Sequence, residues 1–281
     1  MPSDSTPAAR AWAHVAAQSS GKPVDPGWRV TLNFHPDREF QGRPLLAVMA
    51  GDGVYRSQFE TGTSNGGLTA YPGGDRWHWE SRIFGQAYDA APPSERPRYG
   101  ALNLGHAAAG AAPRFGSAHL RLAAGVLRRT TFCHPDSVYN PDHFGVADRF
   151  GLAERLAAAQ GAGDPLDHYI EAHVHGAVII ARDVEAIVLD PSFRNTDVEA
   201  LANALPCRVE WHAGFHADAD LLVRQSAYRG AEVAALGASL AGAHMLTPAR
   251  IGEAARTGRH DSQMLKKVWH CLARFGNCNR L

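Results

Sequence analysis

An α+β fold, with a mixed sheet followed by a helical C-terminal appendage, is predicted by three features of the sequence. Tyr169 to Phe193 reads as two strands of nearly continuous apolar or β-branched residues joined by a short polar turn. Before it, strand-like alternation and short helical stretches succeed one another from Arg29 onward. After Ala219 the composition turns to Ala, Leu and Arg with helical periodicity. The expected division is an N-terminal arm over 1–27, an α+β domain carrying any chemistry over 28–216, and a helical region over 217–281.

The elements follow in order. The arm holds a weak helical patch near Trp12 to Gln18 and ends in the turn Gly21 to Gly27. Arg29 to His35 alternates as a strand that Pro36-Asp37 stops. Pro44 to Ala50 reads as a short helix closed by Gly51 and Gly53, and Val54 to Phe59 as a strand. Glu60 to Gly67 is a loop of small donors and glycines, a composition that lets backbone N–H groups approach an anion or nucleotide, though plain turns share it. Arg76 to Tyr88 spaces Trp77, Phe84 and Tyr88 as the core face of a helix, which Pro92-Pro93 ends. Arg98 to Leu104, Phe115 to Leu122 and Thr130 to His134 read as strands, about Val146 to Gln160 as a helix, and Cys207 to Trp211 as a last strand. Helices are expected over Ala219 to Ser239 and Ser262 to Phe275, with Thr247-Pro248 starting another between them.

Composition narrows the classes of function. The formal net charge of the 281 residues is zero, so bulk charge does not recommend nucleic acid or an anionic membrane as partner. Hydrophobic residues at 45% and charged ones at 20% suit a globular chain able to bury a full core. No stretch of Met1 to Ser20 has signal-peptide character, and no apolar run is long enough for a membrane span. A cytoplasmic protein is expected, or one secreted by a route without a signal peptide. Cys133, Cys207, Cys271 and Cys278 form no C-x-x-C pair and are read as reduced thiols.

Glu171 is the residue most in need of an explanation, because a carboxylate heading an apolar strand is either a solvated surface residue or a working group. Among fifteen histidines, three spacings resemble metal ligands: His173 with His175, His212 with His216, and His134 with His143. His-x-His on a strand sends both rings to one face, beside Glu171. No Gly-x-Ser-x-Gly turn, Walker loop or Gly-x-Gly-x-x-Gly motif is present, which weakens serine hydrolase, P-loop and dinucleotide-fold readings.

The order of these parts resembles the ADP-ribosyltransferase superfamily, whose members bind NAD in a cleft between two small sheets and place a Glu at the head of a late strand. In its toxin-like branch an early strand reads aromatic-Arg, matched by Val54-Tyr55-Arg56, with a Gly-rich turn matched by Asn65 to Tyr71. A middle strand there carries a Ser, for which Ser117 is the candidate, and the late strand the Glu, here Glu171. In the other branch a His ends the first strand and a Tyr sits on a middle strand, roles open to His35 and Tyr99. The sequence does not choose between the two. Arginine-modifying members carry a second acidic residue two positions before the Glu; Tyr169 stands there, so an arginine acceptor is not expected. The chain also resembles an uncharacterised bacterial family marked by the blocks Phe34 to Arg38, Ser57 to Gly62 and Glu171 to Gly176.

The resemblance implies a split-sheet core and an NAD-dependent ADP-ribosyltransferase or NAD glycohydrolase. NAD would be the substrate, and a protein, nucleic acid, small molecule or water the acceptor. Glu171 would stabilise an oxocarbenium-like ribosyl cation, as carboxylates do in glycoside cleavage. Arg56 or His35, with Arg38, would hold ribose and pyrophosphate, Thr63, Ser64 and the surrounding glycines would line the nicotinamide pocket, and Tyr99 and Ser117 would be further NAD-binding residues. Two alternatives stand beside this: a metal-dependent hydrolase using His173, His175 and His134 or His212, and a non-catalytic binding or toxin-related module. The sequence does not reveal the oligomeric state.

Overall fold

The structure is a computed structural model that describes residues 6–159 and 163–276. Its strands are β1 (Arg29–Phe34), β2 (Glu39–Phe40), β3 (Arg43–Pro44), β4 (Val54–Tyr55), β5 (Arg98–Asn103), β6 (Ala118–Leu122), β7 (Thr130–His134), β8 (His143–Val146), β9 (Glu171–Val174), β10 (Val178–Ile179), β11 (Val184–Leu189) and β12 (Arg208–Trp211). Eight of them form one sheet in the order β12-β11-β6-β1-β5-β9-β7-β8, with β4–β10 and β2–β3 as small separate ribbons. Within the large sheet β11 and β12 run parallel and the other neighbours antiparallel, which makes the fold α+β with a mixed sheet.

Alternation along each strand gives the sheet two unlike faces. Val30, Leu32 and Phe34 of β1 join Leu102, Leu120, Leu122, Phe132, Ala172 and Val174 in the main core. The helices α2 (Leu45–Asp52), α6 (Leu152–Ala158) and α8 (Asp197–Asn203) add Leu46, Met49, Leu152 and Ala202 to that side. The intervening positions, Thr31, Tyr99, His119, Arg121, Thr131, Cys133, Glu171 and His173, make the opposite face polar. One end of the polar face lies against α1 (Pro7–Ala17) and the segment after α5 (Asp75–Ile83), where Val15, Phe84 and Tyr88 form a second cluster with Val146 of β8.

The sheet parts near its middle. β1 pairs with β5 only from Arg29↔Asn103 to Thr31↔Ala101, yet continues along β6 as far as Phe34↔Ala118, while β5 follows β9 from Arg98↔Val174. Gly100 stands at this fork. A Cβ there would lie 2.5 Å from both the Thr31 carbonyl oxygen and Leu32 Cδ2, so only glycine lets the two strands meet before they diverge. Gly100→Ala is expected to cost about 1–3 kcal/mol by overpacking, read as a lower urea midpoint; an unchanged midpoint would show that the strands shift freely.

Several elements differ from those the sequence predicts. Between β9 and β11 the expected polar turn is β10 plus a helical turn, α7 (Ile180–Asp183), fixed by the Asp183 carboxylate, which accepts from Ile179 N–H at 2.8 Å and Arg129 at 2.9 Å. The expected Arg76–Tyr88 helix stops at Ile83, because Gly85 and Gln86 take positive φ. Val146 ends a strand, and the helix expected from it starts only at Leu152. The expected open loop over Glu60 to Gly67 contains two helical turns, α3 (Gln58–Thr61) capped by Ser57 and α4 (Asn65–Leu68) capped by Ser64.

The helical region beyond residue 217 consists of α9 (Ala219–Arg224), α10 (Ala231–Ala241), α11 (Pro248–Arg256) and α12 (Ser262–Phe275). Gly230, at φ 103°, separates the first two where one helix was expected, whereas Thr247 caps α11 as its Thr-Pro start predicts. These helices share their own core around Leu222, Val268 and Leu272. Trp269 fastens them to the α+β part by donating its indole N–H to the carbonyls of Pro113 and Arg114 at 3.0 and 3.1 Å.

Candidate active site

Glu171 opens β9, and the pleat turns it to the polar face level with Ala101 of β5 and Cys133 of β7. Two residues on, His173 stands level with Tyr99 and Thr131. Far from being a solvated strand residue, Glu171 is 4% exposed and His173 0%. A carboxylate so buried is tolerated only with partners. His173 Nε2 lies 2.7 Å from Oε1, Ser137 donates its hydroxyl to Oε2 at 3.2 Å, and Cys133 Sγ approaches Oε1 at 3.8 Å. Arg76 of α5 steadies Ser137 through a 3.3 Å hydrogen bond.

Burial works to raise the pKa of Glu171, but the hydrogen bond and charge interaction with His173, followed by the charge of Arg76 and the Ser137 hydrogen bond, outweigh it and hold the carboxyl below its usual range. Asp136 nearby shows the opposite balance: burial, then repulsion from Glu171, pushes it up. Burial and the Glu171 charge likewise push the Cys133 thiol well above its usual range, which keeps it a thiol in this setting. The two neighbouring carboxyls thus have their pKa values driven in opposite directions, Glu171 down and Asp136 up.

Tyr99 belongs to the same centre. Its ring lies 4.1 Å from the Arg76 guanidinium carbon, meets His173 edge-on at 5.2 Å, and its hydroxyl donates to Glu80 Oε1 at 2.9 Å. Burial first, then the Glu80 charge, drives its pKa well up, so it remains a phenol. Tyr99 and Gly100 keep partial exposure where the sheet parts.

The other residues singled out in the sequence lie elsewhere. Arg56 is engaged with Asp52 at 2.8 Å and Glu60 at 3.1 Å in a partly exposed network. Thr63 donates to the Thr61 hydroxyl, and Ser64 accepts from Gly67 N–H as a helix cap. Ser117, expected on a strand, immediately precedes β6; its carbonyl accepts from His212 Nε2 at 2.7 Å. Just past the end of β1, His35 packs edge-on against Trp269 at 5.0 Å, and burial, then Arg38, pushes it down to about 3, while Arg38 itself is exposed. Sequence reasoning passed over Arg76, Thr131, Cys133 and Ser137; the Thr131, Cys133 alternation opposite Glu171 was the available signal.

The structure does not assemble the metal set drawn from the histidines. His175 faces Thr131 and Tyr88, His134 the Tyr169 carbonyl, and His212 the Ser117 carbonyl. Potential ligand atoms of Cys133, Glu171 and His173 do lie within 4.8 Å of one another, a donor set that suits a thiophilic cation such as zinc. Cys133, Cys207 and Cys271 are free thiols; Cys278 lies outside the described residues.

Four histidines contribute to the acid response. Like His35, His119, His175 and His270 are each pushed down to about 3, chiefly by burial. Above pH 6.5 they are neutral folded or unfolded and contribute nothing to pH dependence. As pH falls from 6.5 toward 3 the unfolded chain gains protons that the fold refuses, so stability drops by up to about 1.4 kcal/mol per pH unit for each. Urea midpoints should therefore be lower at pH 5 than at pH 7.5; equal midpoints would contradict neutral burial.

Fold and site thus define a mixed-sheet α+β protein with a buried carboxylate–imidazole centre beside a fork in the sheet. The chain belongs to the DUF3626 family, described as a protein of unknown function, whose sequence model matches residues 29–160 and 154–275. A search of curated proteins found no match to it. No helix among the described residues is long and apolar enough to cross a membrane.

Proposed function

We propose that this protein cleaves the nicotinamide–ribose bond of NAD, with Glu171 as the carboxylate that stabilises the ribosyl cation. The observation that carries the reading is an adjacency. β1, which His35 follows, β5 with Tyr99, and β9 headed by Glu171 are consecutive in the sheet, and β1 and β5 diverge beside them. Tyr99, level with His173 beside Glu171, favours the branch with a Tyr on a middle strand over the one built on Arg56 and Ser117, since Arg56 is committed to Asp52 and Glu60; His35 packs on Trp269 and is not brought to Glu171.

In the reaction the C1′–N bond breaks and its electron pair goes to the nicotinamide nitrogen, leaving positive charge on the ribose. Glu171, held ionised, faces that charge and accepts from the 2′-hydroxyl. Tyr99, fixed by Arg76 and Glu80, offers an aromatic surface for the nicotinamide ring. Water or an acceptor then attacks C1′ and gives up a proton. Whether the product is free ADP-ribose or a modified acceptor depends on which of the two attacks.

The test is incubation with NAD while nicotinamide is followed chromatographically, alongside calorimetric titration with NAD. Release at a rate proportional to protein is expected; neither release nor binding would end the proposal. A second reading, a metal-dependent hydrolase, is favoured by the proximity of Cys133, Glu171 and His173. Elemental analysis separates the two: one zinc per chain, lost on Cys133→Ser, supports the hydrolase and counts against NAD cleavage.

A further inference from the structure

Where the C-terminal helices meet the α+β part, the structure holds an unbalanced group of charges. Lys266, His270 and Arg274 are spaced four apart on α12 and so share one face. α12 packs against two single helical turns, Pro113–Phe115 and Pro165–Asp167. Arg114 of the first turn is fixed at this seam, since the Trp269 indole N–H donates to its carbonyl at 3.1 Å. Arg229, from the link between α9 and α10, reaches the same place: its guanidinium is 2.6 Å from Asp164, which Arg274 also approaches at 3.7 Å. Both guanidinium carbons stand 4.3 Å from the centre of the Tyr228 ring, which limits their movement.

Four cations, Arg114, Arg229, Lys266 and Arg274, thus meet two carboxylates, Asp164 and Asp167, the latter paired with Arg114. Two positive charges are left unmatched. Lys266 is half-buried and has neither an ion pair nor a hydrogen bond among the described residues. Two more nitrogens of the group are buried without a hydrogen-bond partner: Nε2 of His270, a residue only 4% exposed, and Nε of Arg229. Burial first, then Arg114 and Arg229, lowers the pKa of Lys266; burial first, then the same arginines and Lys266, lowers that of His270. Orphaned buried nitrogens and crowded like charges are both unfavourable, and one bound anion relieves both, its oxygens accepting from the orphans and its charge balancing the excess.

We propose that Arg114, Arg229, Lys266 and His270 form a site for a phosphate or diphosphate group carrying two negative charges. A carboxylate brings one charge and two oxygens, too few for this set of donors, whereas a phosphate brings about two charges and three oxygens. The seam lies on the Tyr169 side of the Glu171 centre. Phe115, next to Arg114, meets Tyr169 edge-on at 5.7 Å. Burial first, then Asp136 and Glu171, raises the Tyr169 phenol, and Arg114 opposes them. Two sources can supply the group: the diphosphate of a dinucleotide whose ribose reaches Glu171, or a separate phosphorylated molecule. Only the first of these rests on the NAD reading.

The test is calorimetric titration of the full chain with inorganic pyrophosphate at low ionic strength. One saturable site per chain is expected, with affinity falling as salt is added. Lys266→Met keeps the apolar stem and removes the ammonium, and should weaken binding by about tenfold, the scale of one charged contact to a phosphate. Lys267→Met, at the exposed neighbouring position, should leave binding unchanged. Because Lys266 has no partner in the fold, the urea midpoint of Lys266→Met should equal the parental one, which separates lost binding from lost structure. No saturable binding at millimolar pyrophosphate overturns the site, and so does a Lys266→Met variant that binds like the parent or is weakened no more than Lys267→Met. Titration with NAD present separates the sources. Mutual exclusion, with KM for NAD raised at constant kcat in Lys266→Met, assigns the site to the diphosphate of the dinucleotide; simultaneous binding assigns it to a separate phosphorylated ligand. Pyrophosphate binding with neither NAD binding nor nicotinamide release leaves the site standing while the NAD reading falls.

Discussion

Glu171→Gln is expected to lower the rate of nicotinamide release by about three orders of magnitude, the scale on which removal of one main transition-state stabiliser acts. Gln is nearly isosteric with Glu: its carbonyl oxygen can replace Oε1 and accept from His173, 2.7 Å away, while its NH2 replaces Oε2 and can donate to the Ser137 hydroxyl oxygen, 3.2 Å away. What disappears is the negative charge that the surrounding donors maintain. Because the change removes a buried charge and leaves both positions hydrogen-bonded, with the Ser137 bond reversed, the fold should persist, and the loss should fall on kcat with KM little affected. Glu171→Ala removes the acceptor as well and should lose at least as much activity, with a lower unfolding midpoint because the buried donors facing it are stranded. A Glu171→Gln variant that keeps more than about a tenth of the parental rate would mean that Glu171 is not the stabilising carboxylate, since even one oxyanion-type donor is worth more than that.

The largest effect on stability is expected from Arg96→Ala. Arg96 and Glu80 form a 2.6 Å ion pair whose side chains are only 2% and 1% exposed, and the Arg96 guanidinium carbon lies 4.0 Å from the Phe59 ring centre. Burial pushes Glu80 up against the opposing pull of Arg96. Truncating Arg96 strands a carboxylate in the interior, with an expected cost of about 3–5 kcal/mol, much of the 5–15 kcal/mol a typical domain possesses. The measurement is urea unfolding, with a lower midpoint and an unchanged slope. A drop below about 1 kcal/mol would mean that Glu80 escapes by taking a proton or reaching water. Because Tyr99 donates to the same carboxylate, replacing both charged partners by apolar residues should not restore full stability; the phenol would lose its acceptor.

The legible parts of the sequence were those where a local pattern and a tertiary demand coincide. The alternation in Arg29 to Phe34 reappears as one apolar and one polar face. The Thr-Pro start of α11 and the full span of α12 stand where their caps and periodicity put them. Glu171 was conspicuous for the same reason: its strand offered it nothing to do. Misreadings arose where a distant group or a backbone setting intervened. Asp183 draws in Arg129 and turns a predicted loop into β10 and α7, and positive φ at Gly85 and Gln86 cuts a helix whose aromatic spacing continues past the break.

For the candidate site, the sequence by itself determined the carboxylate, the two histidines on its face and the strands that carry Tyr99 and Glu171, because period-two patterning assigns a face without knowing the neighbours. Tertiary structure alone decided that β1, β5 and β9 lie side by side, that Glu171 is buried rather than solvated, and that Arg76, Cys133 and Ser137 gather around it. Strand order and register depend on which edges pair after long excursions of the chain, and no local pattern encodes that choice. The state of a buried charge depends on it in turn. The Glu171 carboxyl is held below its usual range because β9, α5 and the turn after β7 deliver an imidazole, a guanidinium and the Ser137 hydroxyl to one place from three separate stretches of sequence.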